Sequence, residues 1–269
     1  MADSAWDEYL RTFHRDKPRA TDEGLVPFRS ADGKTPYRLL ADALQSRAGS
    51  RAEILDLACG DGRLVEDIVA VAGPAATVTG IDMSEHEIAR ARQRHPDATF
   101  CVGRAQSLPF DDDSFDVVLS HFAFMLMVPV VSVVAEISRV LRPGGSFVCA
   151  WSSLARVEGD LADILRLKRE CERARPPEIP VFDPRQSTHE GIAELFAQTG
   201  DPRRVSLRTV PVTCTVDADG AWRFLDSLYF TERLEDGIRA ELQKELGALT
   251  AARGGSLRLQ QTIQIATLT

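Results

Sequence analysis

Apolar residues in the middle of the chain fall alternately into short runs and into stretches with helical spacing. The short runs predict strands at residues 54–58, 77–81, 99–102, 115–120 and 146–151. The stretches with helical spacing predict helices at residues 64–71, 84–94 and 130–141. Alternation of this kind builds a parallel sheet with helices on both faces. Such a sheet binds its ligands beyond the carboxyl ends of its strands.

The pattern changes on both sides of this core. Residues 1–46 predict helices joined by a polar loop, and two later segments, 205–216 and 256–267, alternate like strands. Further helices are predicted at residues 154–171, 188–199, 218–230 and 234–249, and a proline-rich connector at 175–184.

These elements predict one Rossmann-like domain over residues 1–269. Its parts are an N-terminal helical segment (1–46), a core (50–152) and a late region (153–269) with inserted helices (218–250). A separate C-terminal domain is the alternative. The single domain is favoured because the last two strands need a sheet to join.

Composition and charge narrow the functional classes. Hydrophobic residues make up 44% of the 269 residues, which is typical of a globular protein. A formal net charge of −8 disfavours a nucleic-acid partner, whose phosphates are bound by Lys and Arg. Five cysteines without a C-x-x-C pair favour a reducing compartment over disulfides or zinc. An acidic N-terminus and the lack of an apolar run of ~20 residues predict a cytoplasmic protein without a membrane partner.

A glycine-containing loop carries the sharpest chemical signal. Gly60 and Gly62 lie between the first predicted strand and the first helix of the core, where free helical N–H groups and positive φ angles favour close approach of a ligand. Asp82 ends the next strand, 20 residues after Gly62. An acid at that place can accept hydrogen bonds from both hydroxyls of a ribose. The loop and the acid together predict a ligand that contains adenosine.

The residues around the loop distinguish between such ligands. A dinucleotide fingerprint needs a third glycine where Val65 stands, and the charge of Asp56 would repel a pyrophosphate. No P-loop motif is present. A carboxylate facing the loop suits a ligand with a positive group, such as an ammonium or a sulfonium. A tight turn without any ligand is the alternative.

Four motifs, in this order, resemble those of the class I S-adenosylmethionine-dependent methyltransferases. They are Asp56-Leu57-Ala58-Cys59-Gly60-Asp61-Gly62, Asp82-Met83-Ser84, the segment 103–116 beginning Gly103-Arg104-Ala105-Gln106, and Arg139-Val140-Leu141-Arg142-Pro143-Gly144-Gly145. The resemblance covers residues 50–152 and implies a doubly wound α/β fold with strand order 3-2-1-4-5-7-6 and an antiparallel last strand. Two positions depart from the family: Ala58 replaces a glycine, and Arg104 replaces an acid that often binds the adenine amino group.

The resemblance also implies the cofactor, S-adenosylmethionine, and the residues that bind it. Asp82 would bind the ribose, and Met83 would pack on the adenine. The backbone of Ala105 and Gln106 and the side chain of Gln106 would recognise the adenine. The other cofactor-binding residues that the resemblance implies are Asp56, Ala58, Cys59, Gly60 and Ser120.

Methyl transfer to an oxygen or a carbon can require a general base. His121, at the end of the fourth strand, is the first candidate. His14 is the second, because in this family the N-terminal segment often folds over the cofactor as a lid. The alternative is that both histidines are structural or exposed. Residues 120–123 read Ser-His-Phe-Ala and not [ND]-P-P-[YFW], which argues against methylation of nucleobase or glutamine amino groups, and no metal site is expected.

Aromatic residues outside the core are the candidates for substrate contacts: Tyr9, Phe13, Trp222 and Tyr229. They would form the roof of an apolar pocket, and core packing or a dimer contact is the alternative. We therefore expect methyl transfer to an O, N or C atom of a small, partly apolar metabolite, such as a secondary metabolite or a quinone, by a monomer or homodimer. A noncatalytic protein that binds S-adenosylmethionine or S-adenosylhomocysteine remains an alternative. An NAD-dependent oxidoreductase is a weaker one, given Asp56 and the missing third glycine.

Overall fold

The computed structural model describes residues 4–18, 20–153, 157–171 and 182–269. The predicted helix start at residue 154 and most of the predicted connector at 175–184 lie outside these residues. None of the described helices combines the length and the apolar character needed to cross a membrane.

Seven strands of the described residues form one sheet. They are β1 (Glu53–Leu57), β2 (Thr77–Asp82), β3 (Thr99–Val102), β4 (Phe115–His121), β5 (Leu141–Ser153), β6 (Val205–Val216) and β7 (Leu257–Leu268). Their order is β3-β2-β1-β4-β5-β7-β6, which confirms the predicted topology. The pairs among the first five strands are parallel. Beside β6 and β7, Arg204 and Thr269 exchange both N–H···O bonds, at 2.9 and 3.0 Å, the pattern of antiparallel neighbours.

Helices connect and flank these strands. They are α1 (Ala5–Asp16), α2 (Ala20–Leu25), α3 (Pro36–Ala41), α4 (Arg63–Ala72), α5 (Glu85–Arg94), α6 (Val130–Val140), α7 (Gly159–Cys171), α8 (His189–Gln198), α9 (Ala218–Asp226) and α10 (Asp236–Ala252). Short 3₁₀ helices lie at Asp42–Arg47, Phe124–Leu126, Pro184–Ser187 and Thr231–Arg233. Side-chain oxygens cap several N-termini: Ser4 caps α1, Ser84 caps α5, Thr188 caps α8 and Asp217 caps α9.

The chain divides into two compact units, and each is described by itself. The sheet unit comprises residues 37–152, 180–209 and 263–269, and the helical unit comprises residues 1–36, 153–179 and 210–262. The core of the sheet unit packs fully buried apolar side chains of β4, β5, α6 and α8, among them Val118, Phe147, Ile137 and Phe196. The predicted single-domain organisation stays a prediction.

The strand β5 begins five residues earlier than its predicted start at residue 146. Its pairing with β4 jumps from Phe115–Leu141 to Val117–Ser146, so the extra residues form a bulge within the strand. Gly145 is required there, because a Cβ atom would lie 2.8 Å from the carbonyl oxygen of Arg142. The residues between the predicted helix and the predicted strand, Arg142-Pro143-Gly144-Gly145, are therefore part of β5.

Candidate active site

The turn between β1 and α4 is built from residues with left-handed backbone angles. Ala58, Gly60 and Gly62 have φ angles of 61°, 54° and 79°. The N–H of Cys59 donates to the carbonyl of Ile81 at 3.0 Å, which ties the turn to β2. A Cβ atom on Gly62 would lie 3.2 Å from the side chains of both His95 and Phe100, so a larger residue would force these side chains to shift. The turn is thus narrow and fixed, and Ala58 adopts an angle that disfavours residues other than glycine.

Asp82 stands at the end of β2 and is half-buried. One carboxylate oxygen accepts the N–H of Gly60 at 3.0 Å, and the other accepts the N–H of Ser84 at 2.9 Å. Burial raises the pKa of Asp82, and these backbone hydrogen bonds oppose the shift. Because a carboxylate can accept about four hydrogen bonds, Asp82 keeps the capacity to accept one from a ligand hydroxyl.

Asp56 lies inside β1 and is only 1% exposed. Its Oδ2 atom is buried and has no hydrogen-bond partner among the described residues. Burial, together with the negative charge of Asp82, raises the pKa of Asp56 to about 8. Burying a carboxyl group without a hydrogen-bond partner costs free energy unless a ligand supplies that partner. The ionised form of the group is stabilised by a nearby cation.

Glu87 is a third acid near this turn. Its backbone N–H donates to Ser84 Oγ at 3.3 Å, at the N-terminus of α5. Its side chain pairs with Arg90 and is only 5% exposed. Burial raises the pKa of Glu87 to about 7. A Cβ atom on Gly60 would lie 4.0 Å from Glu87 Oε2, so this acid belongs to the surroundings of the turn.

The segment after β3 contains the predicted adenine-binding residues. Ala105 and Gln106 are half-buried in a short turn in which Arg104 and Ser107 form an isolated bridge. The N–H of Gly103 donates to the carbonyl of Asp82 at 2.9 Å. The side-chain amide of Gln106 donates to the carbonyl of Val128 at 2.7 Å. The side-chain N–H group of Gln106 is therefore already hydrogen-bonded within the protein. This leaves the backbone groups of the turn for contacts with the adenine.

An ion pair on α6 holds the end of this segment. Glu136 accepts the N–H of Leu108 at 2.6 Å and pairs with Arg139 through both carboxylate oxygens. Arg139 also donates to the carbonyl oxygens of Leu108 and Phe110 and to the carboxylate of Asp112. The guanidinium of Arg139 holds the pKa of Glu136 below its usual range. These contacts fix residues 108–112 to α6.

The two candidate bases belong to different units. In the sheet unit, His121 ends β4 and is 8% exposed, and its ring stacks on Tyr37 with centroids 4.0 Å apart. The guanidinium of Arg63 lies 5.2 Å from the same Tyr37 ring. Ser120, which precedes His121, is fully buried. Phe122, which follows it, has a φ angle of 55°, an uncommon conformation for an aromatic residue.

The helical unit brings His14 together with three of the four predicted substrate residues. His14 Nε2 lies 3.2 Å from the hydroxyl oxygen of Tyr229, whose ring packs against Phe13 and Tyr9. The Tyr9 hydroxyl accepts the N–H of Phe230 at 2.8 Å and donates to Glu232 at 3.0 Å. Tyr9 and Phe13 are buried in this cluster, which is the packing that the alternative interpretation predicts. The fourth residue, Trp222, lies on α9 with its ring beneath the guanidinium of Arg239.

Comparison with known proteins shows what the core resembles. Residues 55–149 match the family model described as a methyltransferase domain. Over these residues the chain is similar to a methyltransferase domain. This match confirms the resemblance predicted from the four motifs. Within the described ranges, no group of three or more His, Cys, Asp or Glu residues is arranged to hold a metal ion.

The methyltransferase domain has curated relatives and a similar solved structure. It is 40% identical over 113 residues to the demethylmenaquinone methyltransferase of Beutenbergia cavernae, covering 42% of this chain and 45% of that protein. It is 38% identical over 116 residues to the phthiotriol/phenolphthiotriol dimycocerosates methyltransferase of Mycobacterium tuberculosis, covering 41% and 43%. The match spans less than half the length of these relatives. A protein of Anaeromyxobacter dehalogenans assigned as a type II methyltransferase shares the fold, with a TM-score of 0.61, 23% identity and coverage of 89% of this chain and 96% of that one.

Proposed function

We propose that this protein transfers the methyl group of S-adenosylmethionine to an O, N or C atom of a small, partly apolar metabolite. The observation that carries the proposal is the buried Asp56, whose Oδ2 atom has no partner among the described residues. It lies at the foot of a left-handed turn that Asp82 holds from the next strand. A cation beside Asp56 would favour its ionised form and would replace the hydrogen bonds that the buried carboxyl lacks.

The residues of the turn fit this cofactor. A Cβ atom on Gly60 would meet nothing closer than 4.0 Å, so there is room for a ligand against its backbone. In the proposal, Asp82 accepts the ribose hydroxyls through its remaining lone pairs, and half-buried Met83 packs on the adenine. The residues that would hold the amino-acid end and the methyl end are Asp56, Ala58, Cys59, Gly60 and Ser120.

The task left to the protein is alignment of the acceptor. When bound, the cofactor supplies an activated methyl group on a positively charged sulfur. Alignment of two reacting atoms lowers a barrier by about 7–11 kcal/mol. The apolar character of the acceptor is supported by the half-buried side chains of Phe122, Met125 and Leu126, which follow His121 at the carboxyl end of β4. It is also supported by the relatives, which are named for methylation of demethylmenaquinone and phthiotriol.

A base is needed only if the acceptor atom carries a proton that must leave. His121 in the sheet unit and His14 in the helical unit are the two candidates. Tyr9, Phe13, Trp222 and Tyr229 stay proposed acceptor contacts. Cys59, Cys101, Cys149 and Cys214 carry free thiols, which supports a proposed cytoplasmic location.

Two measurements test the proposed function. Calorimetry with S-adenosylmethionine, S-adenosylhomocysteine and NAD should show binding of the first two and not of NAD. Transfer of a radiolabelled methyl group should then be followed with a prenylated naphthohydroquinone, simple phenols and a fatty acid as acceptors. Binding without transfer to any of them favours the noncatalytic alternative. Absence of binding to S-adenosylhomocysteine overturns both interpretations.

A further inference from the structure

The loop between β4 and α6, residues 122–129, has an irregular backbone next to the proposed methyl-transfer site. It begins directly after His121 with Phe122 in a left-handed conformation and contains the 3₁₀ turn Phe124–Leu126. Carbonyl groups in a buried, irregular segment need hydrogen-bond donors from elsewhere in the protein. The residues that donate hydrogen bonds to the carbonyls of this loop are therefore the ones that fix its conformation.

Two glutamines from distant parts of the chain supply these donors. Gln186 is 1% exposed, and its amide donates to the carbonyls of Phe124 at 2.6 Å and Met127 at 2.9 Å. Gln106 donates to the carbonyl of Val128 at 2.7 Å. Three carbonyls within five residues of the loop therefore accept from side-chain amides.

Gln106 also belongs to the turn proposed to bind the adenine. That turn is fixed at both ends, because Gly103 donates to the carbonyl of Asp82 and Leu108 donates to Glu136. Gln106 lies between these fixed points, and its side chain reaches from the turn to the loop. A ligand that packs on the turn would restrict the backbone of Gln106 and, through its amide, the position of Val128.

We propose that Gln106 couples occupancy of the cofactor site to the conformation of the β4–α6 loop, and that Gln186 is a positioning residue that holds the same loop from the other side. This inference rests on the proposed function. The loop carries Phe122, Met125 and Leu126, so the coupling prepares an apolar acceptor surface once the cofactor is bound. Since coupling between two sites is reciprocal, each ligand strengthens the binding of the other.

Hydrogen exchange read by mass spectrometry tests this coupling with the full chain and S-adenosylhomocysteine as the probe. The amides of Leu126 and Met127 donate within the loop, to Ala123 and Phe124, and report its opening. In the wild-type protein, saturating S-adenosylhomocysteine should slow their exchange by about fivefold or more. Because the Gln106 amide donates to Val128, the proposed adenine contacts of the turn come from its backbone, which Gln106→Leu keeps. In this variant S-adenosylhomocysteine should therefore still bind, as calorimetry measures, without slowing exchange in the loop.

Two further variants complete the design. Gln198→Leu changes an exposed glutamine on α8 and should behave like the wild type. Gln186→Leu should speed loop exchange with and without the ligand while changing the dissociation constant for S-adenosylhomocysteine less than twofold. If Gln186→Leu fails to fold, the wild-type and Gln106→Leu measurements still decide the proposal.

The outcomes separate this inference from the proposed function. If the wild-type protein binds S-adenosylhomocysteine and loop exchange does not change, the coupling is wrong and the proposed function stands. Equal slowing in wild type and Gln106→Leu also overturns it. Loss of binding in both Gln106→Leu and Gln106→Met would make Gln106 a direct ligand and overturn the coupling role. Failure of the wild-type protein to bind refutes the proposed function itself.

Discussion

Asp82 accepts a hydrogen bond from the backbone N–H of Gly60 at 3.0 Å, so the acid that ends β2 holds the turn that follows β1. Its other oxygen accepts the N–H of Ser84 and thereby orients the first turn of α5. In the proposed function the same carboxylate binds the ribose. Removing it should therefore affect both the shape of the turn and the affinity for the cofactor.

Asp82→Asn should weaken binding of S-adenosylhomocysteine by about 10- to 150-fold, which corresponds to the roughly 1.5–3 kcal/mol of a hydrogen bond to a charged group. The amide loses the charge and one of the two accepting oxygens. Isothermal titration calorimetry measures the effect. Asp97→Asn, an exposed acid of the same unit, is the matched control and should shift the dissociation constant less than twofold. An unchanged affinity in Asp82→Asn would remove Asp82 from the cofactor site.

The raised pKa of Asp56 predicts a pH dependence of stability. In the unfolded chain this carboxyl titrates near 3.9, whereas burial and the charge of Asp82 raise its pKa to about 8 in the folded protein. The folded state therefore binds more protons between these values, and the contribution of Asp56 to stability is lost as the pH rises from 4 to above 8.

Asp56→Asn removes this loss, since the amide does not ionise. The variant should match the wild type near pH 4 and unfold about 5–10 °C higher at pH 9, as measured by differential scanning calorimetry. The buried Glu87 titrates in part of the same window but is present in both proteins, so it cancels in the comparison. Equal melting temperatures at pH 9 would mean that Asp56 is ionised and stabilised in the free protein.

The parallel sheet and the acids at its strand ends were predictable from the alternation of strands and helices and from motifs local in sequence. The strand order was predictable through the family resemblance that these motifs carry. The roles of Gln106 and Gln186 were not, because the partners of each side chain lie 22 to 62 residues away. Burial of Glu87 was not predictable either, because an acid in the first turn of a helix is common without any ligand site. The early start of β5 was missed because Pro143, Gly144 and Gly145 favour a turn, and the bulge keeps them within the strand.

Ala58 has a φ angle of 61°, so glycine should be the better residue at this position. A left-handed angle costs a residue with a Cβ atom about 1–2 kcal/mol, more than the additional chain entropy that glycine loses on folding. Ala58→Gly should therefore raise the free energy of unfolding by about 0.5–1 kcal/mol in urea denaturation. Ala89→Gly, on an exposed position of helix α5, should lower it by a similar amount. A loss of stability in both variants would contradict the strain assigned to Ala58.

Arg139 should be important for stability although it is partly exposed. It holds the carbonyls of Leu108 and Phe110 and the carboxylate of Glu136, so its loss leaves several acceptors without their donor. Arg139→Ala should lower the free energy of unfolding by about 2–3 kcal/mol. Arg166→Ala removes an exposed ion pair with Asp163 within one helix and should cost less than about 0.5 kcal/mol. Similar losses in the two variants would show that the Arg139 contacts add nothing specific.

The contact between His14 and Tyr229 provides a test of which candidate base, His14 or His121, acts in catalysis. A general base contributes about 10²- to 10⁴-fold to the rate, so if His14 has this role, His14→Gln should lower kcat by at least 100-fold and leave the affinity for S-adenosylhomocysteine unchanged. The measurement is the rate of labelled methyl transfer to whichever test acceptor the wild-type protein methylates.

Tyr229→Phe keeps the ring that packs on Phe13 but removes the hydroxyl beside His14 Nε2, so it should lower kcat less than His14→Gln does. The reverse order would make Tyr229 the more important residue. His121→Gln tests the other candidate in the same assay, and His189→Gln, which changes a partly exposed histidine, is the control. If neither His14→Gln nor His121→Gln changes kcat more than twofold, the reaction needs no histidine base, and alignment of the acceptor carries the rate.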